Sequence, residues 1–203
     1  MQNSNKYFIP GFNCYNEGME PNESQFPNAD PADVKHLNNF VRAAPTAYGP
    51  NNADAREALG RLGQASGGIR KGTQMYRALS QHDLDALSGM KVGDSYTLDA
   101  PRSMVGSSGL QDIGGIAKRG GTGAQPTNTV ASIEAMQDIP GISRVNNFLQ
   151  GKRVGDYQGL DSEGLIMHGT RLTLQGHTPG TDGAPDAYHL TAWAPEEEEK
   201  KDE

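Results

Sequence analysis

Three short stretches of this chain carry residue types that can work together chemically. Tyr76-Arg77 lies in the run Gln74-Met75-Tyr76-Arg77-Ala78-Leu79, which reads as a short strand. A guanidinium held on a strand can fork onto phosphate oxygens through two parallel charge-assisted hydrogen bonds. Ser103 follows the strand-like Tyr96-Thr97-Leu98 and the turn Asp99-Ala100-Pro101-Arg102. A hydroxyl at the end of a strand can orient a sugar hydroxyl or a catalytic carboxylate. Asp161 and Glu163 stand directly before the apolar run Leu165-Ile166-Met167, and acids two residues apart on extended backbone point to the same side. Such a carboxylate can bond a ribose hydroxyl and stabilise positive charge developing at an oxocarbenium-like carbon. Taken singly, each stretch also has a plain structural explanation: a solvated strand arginine, a turn serine, a pair of surface acids.

These residues need elements to hold them. Asp30-Pro31 reads as an N-cap followed by proline in a first helical turn, with Val34, Leu37 and Val41 at helical spacing and Pro45 as the boundary. A second helix is expected from Asp54, carrying Ala55, Ala58, Leu59 and Leu62, with Gly67-Gly68 as its stop. Ser80 is placed to cap a small helix with Leu84 and Leu87, ended by Gly89. From residue 90 onward short strands and turns dominate. Residues 106–128, dense in Gly, Ser and Thr, read as a long, mobile loop with at most one helical turn. Ile142 to Phe148 alternates as a strand. Gly164 to His168 and Arg171 to Gln175 read as a hairpin about Gly169-Thr170, residues 176–187 as a loop, and Tyr188 to Trp193 as a last strand with Trp193 in the core. Helices first and strands later give an α+β domain.

Composition bounds what such a domain does. With 203 residues there is room for one domain, and 34% hydrophobic residues with 26 Gly and 12 Pro imply a modest core and many turns. The expected organisation is an irregular, aromatic-bearing arm over 1–29, a domain over 30–194 and an acidic disordered tail over 195–203. A net charge of -7 argues against a general nucleic-acid binder, although the acidic tail supplies part of it. The single Cys14 excludes an internal disulfide framework and reads as an ordinary free thiol. Five histidines show no metal-ligand spacing, so no metal is expected, and Gly120-Gly121-Thr122-Gly123 lacks the Gly-Lys-Ser/Thr ending of a phosphate loop. No apolar run approaches the ~20 residues of a membrane helix, and the polar N-terminus is unlike a signal peptide; a soluble protein acting inside a cell is expected.

In order and spacing, the three stretches resemble the Arg–Ser–Glu signature of the ADP-ribosyltransferase superfamily, in its toxin and phage mono-ADP-ribosyltransferase type. That family carries Tyr-Arg-Gly on one strand, Ser-Thr-Ser on a later one, and Glu-x-Glu or Gln-x-Glu at the start of a third. Tyr76-Arg77-Ala78 is similar to the first element, with alanine in place of glycine. Pro101-Arg102-Ser103 keeps one hydroxyl of the second. Glu163 to Thr170 is similar to the third, including its Gly-Thr turn, with Asp161 in place of the usual Glu or Gln. The helix Val34 to Arg42 resembles the one that opens such domains, and the likeness covers roughly residues 30–194. It implies N-terminal helices followed by a split, mainly antiparallel β-sandwich. It further implies NAD+ as co-substrate, with Arg77 and Tyr76 on the cofactor, Ser103 orienting the ribose, and Glu163 as catalytic acid. Asp161, Tyr157 and Gln158 would face the acceptor, a macromolecule expected to be a host protein. The same site with water as acceptor would make an NAD+ glycohydrolase, and a non-catalytic binding module on this fold is the other alternative.

Overall fold

The computed structural model describes residues 29–43, 52–119, 126–145, 148 and 163–196. Residues 1–28 of the arm expected over 1–29, with Cys14, and Tyr157, Gln158, Asp161 and the tail from 197 lie outside the described residues. Helix α1 spans Pro31–Ala43, and the Asp30 carboxylate accepts from the amide of Ala32 at 2.8 Å. Helix α2 spans Ala53–Ala65, capped by Asn52, whose side chain accepts from the amide of Ala55 at 3.2 Å. The two helices bury Leu37 and Phe40 against Ala55, Leu59 and Leu62. A two-bond pairing of Arg61 with Asp33, at 2.7 and 2.9 Å, ties them together.

Among the described residues eight strands form one mixed, mostly antiparallel sheet: β1 (Gln74–Ala78), β2 (Ser95–Thr97), β3 (Arg102–Val105), β4 (Thr129–Ala135), β5 (Gly141–Ile142), β6 (Glu163–Ile166), β7 (Arg171–Thr178) and β8 (Asp186–Trp193). Their order is β2-β7-β8-β4-β1-β3-β6-β5, and only β4 and β8 run parallel. This sheet cannot be flat. Five chain steps lead from Ile166 at the end of β6 to Arg171 at the start of β7, a reach of at most ~18 Å. In strand order the two stand five gaps apart, ~24 Å on a flat sheet. The sheet therefore curls until its two halves face each other. Met75, Met104 and Ile166 of one half share a buried cluster with Ile133, Leu172, Leu174 and Leu190 of the other. That is the sandwich expected from the sequence.

The outer face of the β1–β3–β6 half is covered by helices. Leu165 lies under α1 and α2 with Ile142 and Met167. Tyr76, Val105 and Val130 lie under α4 (Leu110–Arg119) through Ile113 and Ala117. A 3₁₀ turn at Ser107–Gly109 leads into that helix. Helix α3 (Gln81–Leu87) has a capping box in which Ser80 and Asp83 satisfy each other's amides.

Several sequence expectations need correction. The stretch 106–128 is not one long loop: α4 occupies ten residues of it, because Ile113, Ile116 and Ala117 make a narrow apolar stripe that the neighbouring glycines obscured. Among the described residues of 142–148 the strand does not run beyond Ile142; the Phe148 amide donates to the carbonyl of Val145. Strands β6 and β7 are not a hairpin. Gly169, at φ 81°, and Thr170 are stitched to Leu98 by two backbone bonds, and the turn carries the chain from one half of the sandwich to the other. Strand β7 runs on to Thr178, past a bulge between Leu174 and Gly176, so the following loop is shorter than expected. Trp193 is half-exposed on the outer face, with the Arg171 guanidinium 5.9 Å from its ring centroid, rather than in the core.

Candidate functional site

Glu163 is the first residue of β6, directly opposite Val105 of β3. Ser103, two residues before Val105, projects from the same face, and diagonal neighbours of this kind are within side-chain reach. Its Oγ donates to Glu163 Oε1 at 3.0 Å. Ser103 thus sits inside β3, not at the end of the preceding strand, and the strand pairing aims it at the acid. The Glu163 side is built to close tolerances. Its carbonyl accepts from the Val145 amide at 2.8 Å. The next residue is Gly164, where a Cβ would stand 2.7 Å from the carbonyl oxygen of Ile142 and 3.0 Å from that of Ser143. Only glycine lets β5 approach β6 this closely.

The pair occupies a seam. Leu165, two residues on from Glu163, lies under α1 and α2, and Val105, two residues on from Ser103, lies under α4. Between the two helical layers Ser103 remains half-exposed while Glu163 is 7% exposed. A buried carboxylate beside an accessible hydroxyl can act on a ligand that enters from the Ser103 side.

Arg77 is not part of this pair. Successive residues of β1 point to opposite faces, and Tyr76 takes the outer one, 4% exposed beneath α4. Tyr76 is accordingly a core residue. Arg77 points inward to an ion-pair network at one end of the sandwich. Its Nη2 donates to Asp83 Oδ2 at 2.8 Å and its Nε to the Ala78 carbonyl at 3.3 Å. Asp83 Oδ1 accepts from Arg102 Nε at 3.1 Å, and Arg102 Nη2 reaches Asp99 at 2.8 Å. The Ser80 amide and hydroxyl add bonds to Asp83 Oδ2 at 3.0 and 2.7 Å. Arg77 Nη1 is buried with no hydrogen-bond partner among the described residues.

The charges of this network are strongly coupled. Burial pushes the Asp83 carboxyl up, but the Arg77 and Arg102 charges and the Ser80 bonds outweigh it and hold the carboxyl at about 2. Burial lowers the Arg77 guanidinium, opposed by Asp83. Burial, with Asp83 close by, pushes the Tyr96 hydroxyl up to about 12. Asp83, Arg102 and Tyr96 were not singled out from the sequence as site residues. The spacing Ser80-x-x-Asp83 is a capping signal, but nothing local tells that its acid also receives two arginines. Among the described residues no three His, Cys, Asp or Glu side chains gather into a metal-holding group, and no helix is long and apolar enough to cross a membrane.

No protein-family model and no curated protein matches the sequence. Solved structures do match. The chain is similar to BECa, the ADP-ribosylating toxin of a binary enterotoxin of C. perfringens, crystallised with NADH, at TM-score 0.56 and 13% identity over 87% of this chain. It spans only 46% of the BECa chain. It is similar to C3stau2 from S. aureus, solved with NAD, at TM-score 0.54 and 11% identity, covering 82% of this chain and 88% of that one. It is also similar to C3larvin toxin, an ADP-ribosyltransferase from Paenibacillus larvae, at TM-score 0.53 and 10% identity, covering 84% and 97%. At these identities the likeness is one of fold: the chain has the α+β fold of the ADP-ribosyltransferase toxins.

Proposed function

We propose that this protein is a mono-ADP-ribosyltransferase that cleaves NAD+ at the bond between nicotinamide and ribose and transfers ADP-ribose to a macromolecular acceptor. The observation that carries this reading is the Ser103–Glu163 hydrogen bond between β3 and β6, in a fold shared with ADP-ribosylating toxins. Glu163 would hydrogen-bond the ribose hydroxyl and set negative charge beside C1′ as positive charge develops there. Ser103 would hold the carboxylate in place. As the C1′–N bond breaks, its electron pair leaves with neutral nicotinamide. A lone pair of the acceptor forms the new bond at C1′ and the acceptor's proton passes to solvent. Arg77, whose Nη1 has no hydrogen-bond partner among the described residues, is the donor assigned to the diphosphate. Sequence resemblance alone assigns Asp161, Tyr157 and Gln158 to the acceptor side, and a protein of the host cell is the acceptor class it favours.

The separation of Arg77 from the Ser103–Glu163 pair favours a second reading, a binding module that keeps the fold without turnover. One experiment distinguishes them. Purified wild type and Glu163→Gln are incubated with labelled NAD+ and a bacterial lysate, following free nicotinamide and acid-insoluble label. Glu163-dependent label on macromolecules supports the transferase. Glu163-dependent nicotinamide without label supports hydrolysis. Neither, from folded protein, overturns both enzyme readings.

A further inference from the structure

We infer that Asp83 is a positioning residue, which fixes the plane of the Arg77 guanidinium so that its Nη1 edge is presented to the diphosphate of NAD+; this rests on the reading of Arg77 given above. The two arginines that share Asp83 differ in what they have left to offer. Arg102 is 5% exposed and fully engaged: Nε binds Asp83, Nη1 binds the carbonyl of Ala100, and Nη2 binds Asp99. It serves to tie the start of β3, and with it Ser103, to α3. Arg77 is held at Nε and Nη2 only, while Nη1 is buried without a partner among the described residues. A guanidinium is planar, so fixing two of its nitrogens fixes the direction of the third. A buried donor left open is costly unless something completes it, and an anionic oxygen is the partner that a cationic N–H accepts most strongly.

Asp83 is suited to this task because it cannot easily move. Its side chain is 2% exposed, and Ser80 grips Oδ2 through both amide and hydroxyl while α3 begins on the same carboxylate. It is also the counter-charge between two guanidiniums that would otherwise repel. Since Arg102 adjoins Ser103 in the chain, one carboxylate registers the phosphate-binding arginine of β1 against the serine of β3. Arg77 and Ser103 are thereby both located from a single point.

The test is a double-mutant cycle on NAD+ consumption by Asp83→Asn, Arg77→Ala and the double variant, with melting temperatures measured alongside. Asp83→Asn is expected to raise KM for NAD+ roughly tenfold while kcat changes by less than about threefold. In the Arg77→Ala background the same substitution is expected to have no further effect on KM, because the residue through which it acts is gone. Asp83→Glu, which keeps the charge but displaces it, is expected to raise KM less; it replaces Asp83→Asn if that variant does not fold. An unchanged KM, or equal losses in both backgrounds, would overturn the inference and leave Asp83 a structural clasp. A wild type that neither binds nor consumes NAD+ would instead overturn the functional reading itself, and this inference with it.

Discussion

Ser103 and Glu163, 60 positions apart in the chain, meet at 3.0 Å because β3 and β6 are paired in a register that sets Val105, not Ser103, opposite the acid. The diagonal contact leaves the Ser103 hydroxyl committed as a donor and half-exposed. Removing it should therefore weaken the acid's orientation without removing the acid. Ser103→Ala is expected to lower kcat for NAD+ cleavage by about tenfold to a hundredfold, the range for a hydrogen bond to a charged group, with little change in melting temperature. Single-turnover nicotinamide release measures it.

Gly164 tests the closeness of β5 and β6. A Cβ there meets two backbone carbonyls at 2.7 and 3.0 Å, neither of which can rotate away. Gly164→Ala is expected to destabilise the fold by about 1–3 kcal/mol and to reduce turnover as well, since the displaced strand starts with Glu163. Denaturant unfolding and activity should fall together; a stable, fully active variant would contradict the strand spacing.

Acid stability should report on Asp83. Its carboxyl sits near 2 when folded against an ordinary 3.8, a depressed value, so its stabilising contribution is complete above about pH 4 and is lost as pH falls from 4 toward 2. The difference corresponds to about 2 kcal/mol. Urea unfolding across that window should show the decline in wild type, and Asp83→Asn should flatten it.

Helix α4 offers a fourth check. Ile113 is 5% exposed against Tyr76, Val105 and Val130. Ile113→Ala is expected to cost about 2–4 kcal/mol in unfolding free energy, as befits a core position. A cost near zero would return this stretch to the loop expected from its composition.

How far the chain announced its own structure depends on whether the signal was local. Asp30-Pro31, Ser80-x-x-Asp83 and Gly89 mark helix ends by their own chemistry, and α1 and α3 stand where those marks put them. Helix α4 was hidden because Gly114-Gly115 interrupts the apolar pattern of Ile113, Ile116 and Ala117 on its buried face. The turn at Gly169-Thr170 was legible, but a turn does not say which strands it serves. Pairing β6 with β3, and β7 with β8, is a long-range choice made by the cores on either side. The same division holds at the site. Ser103 and Glu163 were singled out by type and spacing and do touch. The inward course of Arg77 follows from strand alternation once Tyr76 is known to face α4, which no neighbouring residue reveals.

Strand β8 is the last strand of the sheet in chain order, yet it lies inside the sheet, hydrogen-bonded to β7 on one side and in parallel to β4 on the other. On a ribosome, residues 186–193 leave the exit tunnel after every other strand. Until they do, β4 and β7 have an unfilled place between them and the sandwich cannot close. Nascent chains that already contain both Ser103 and Glu163 thus lack the completed domain until synthesis has passed Trp193.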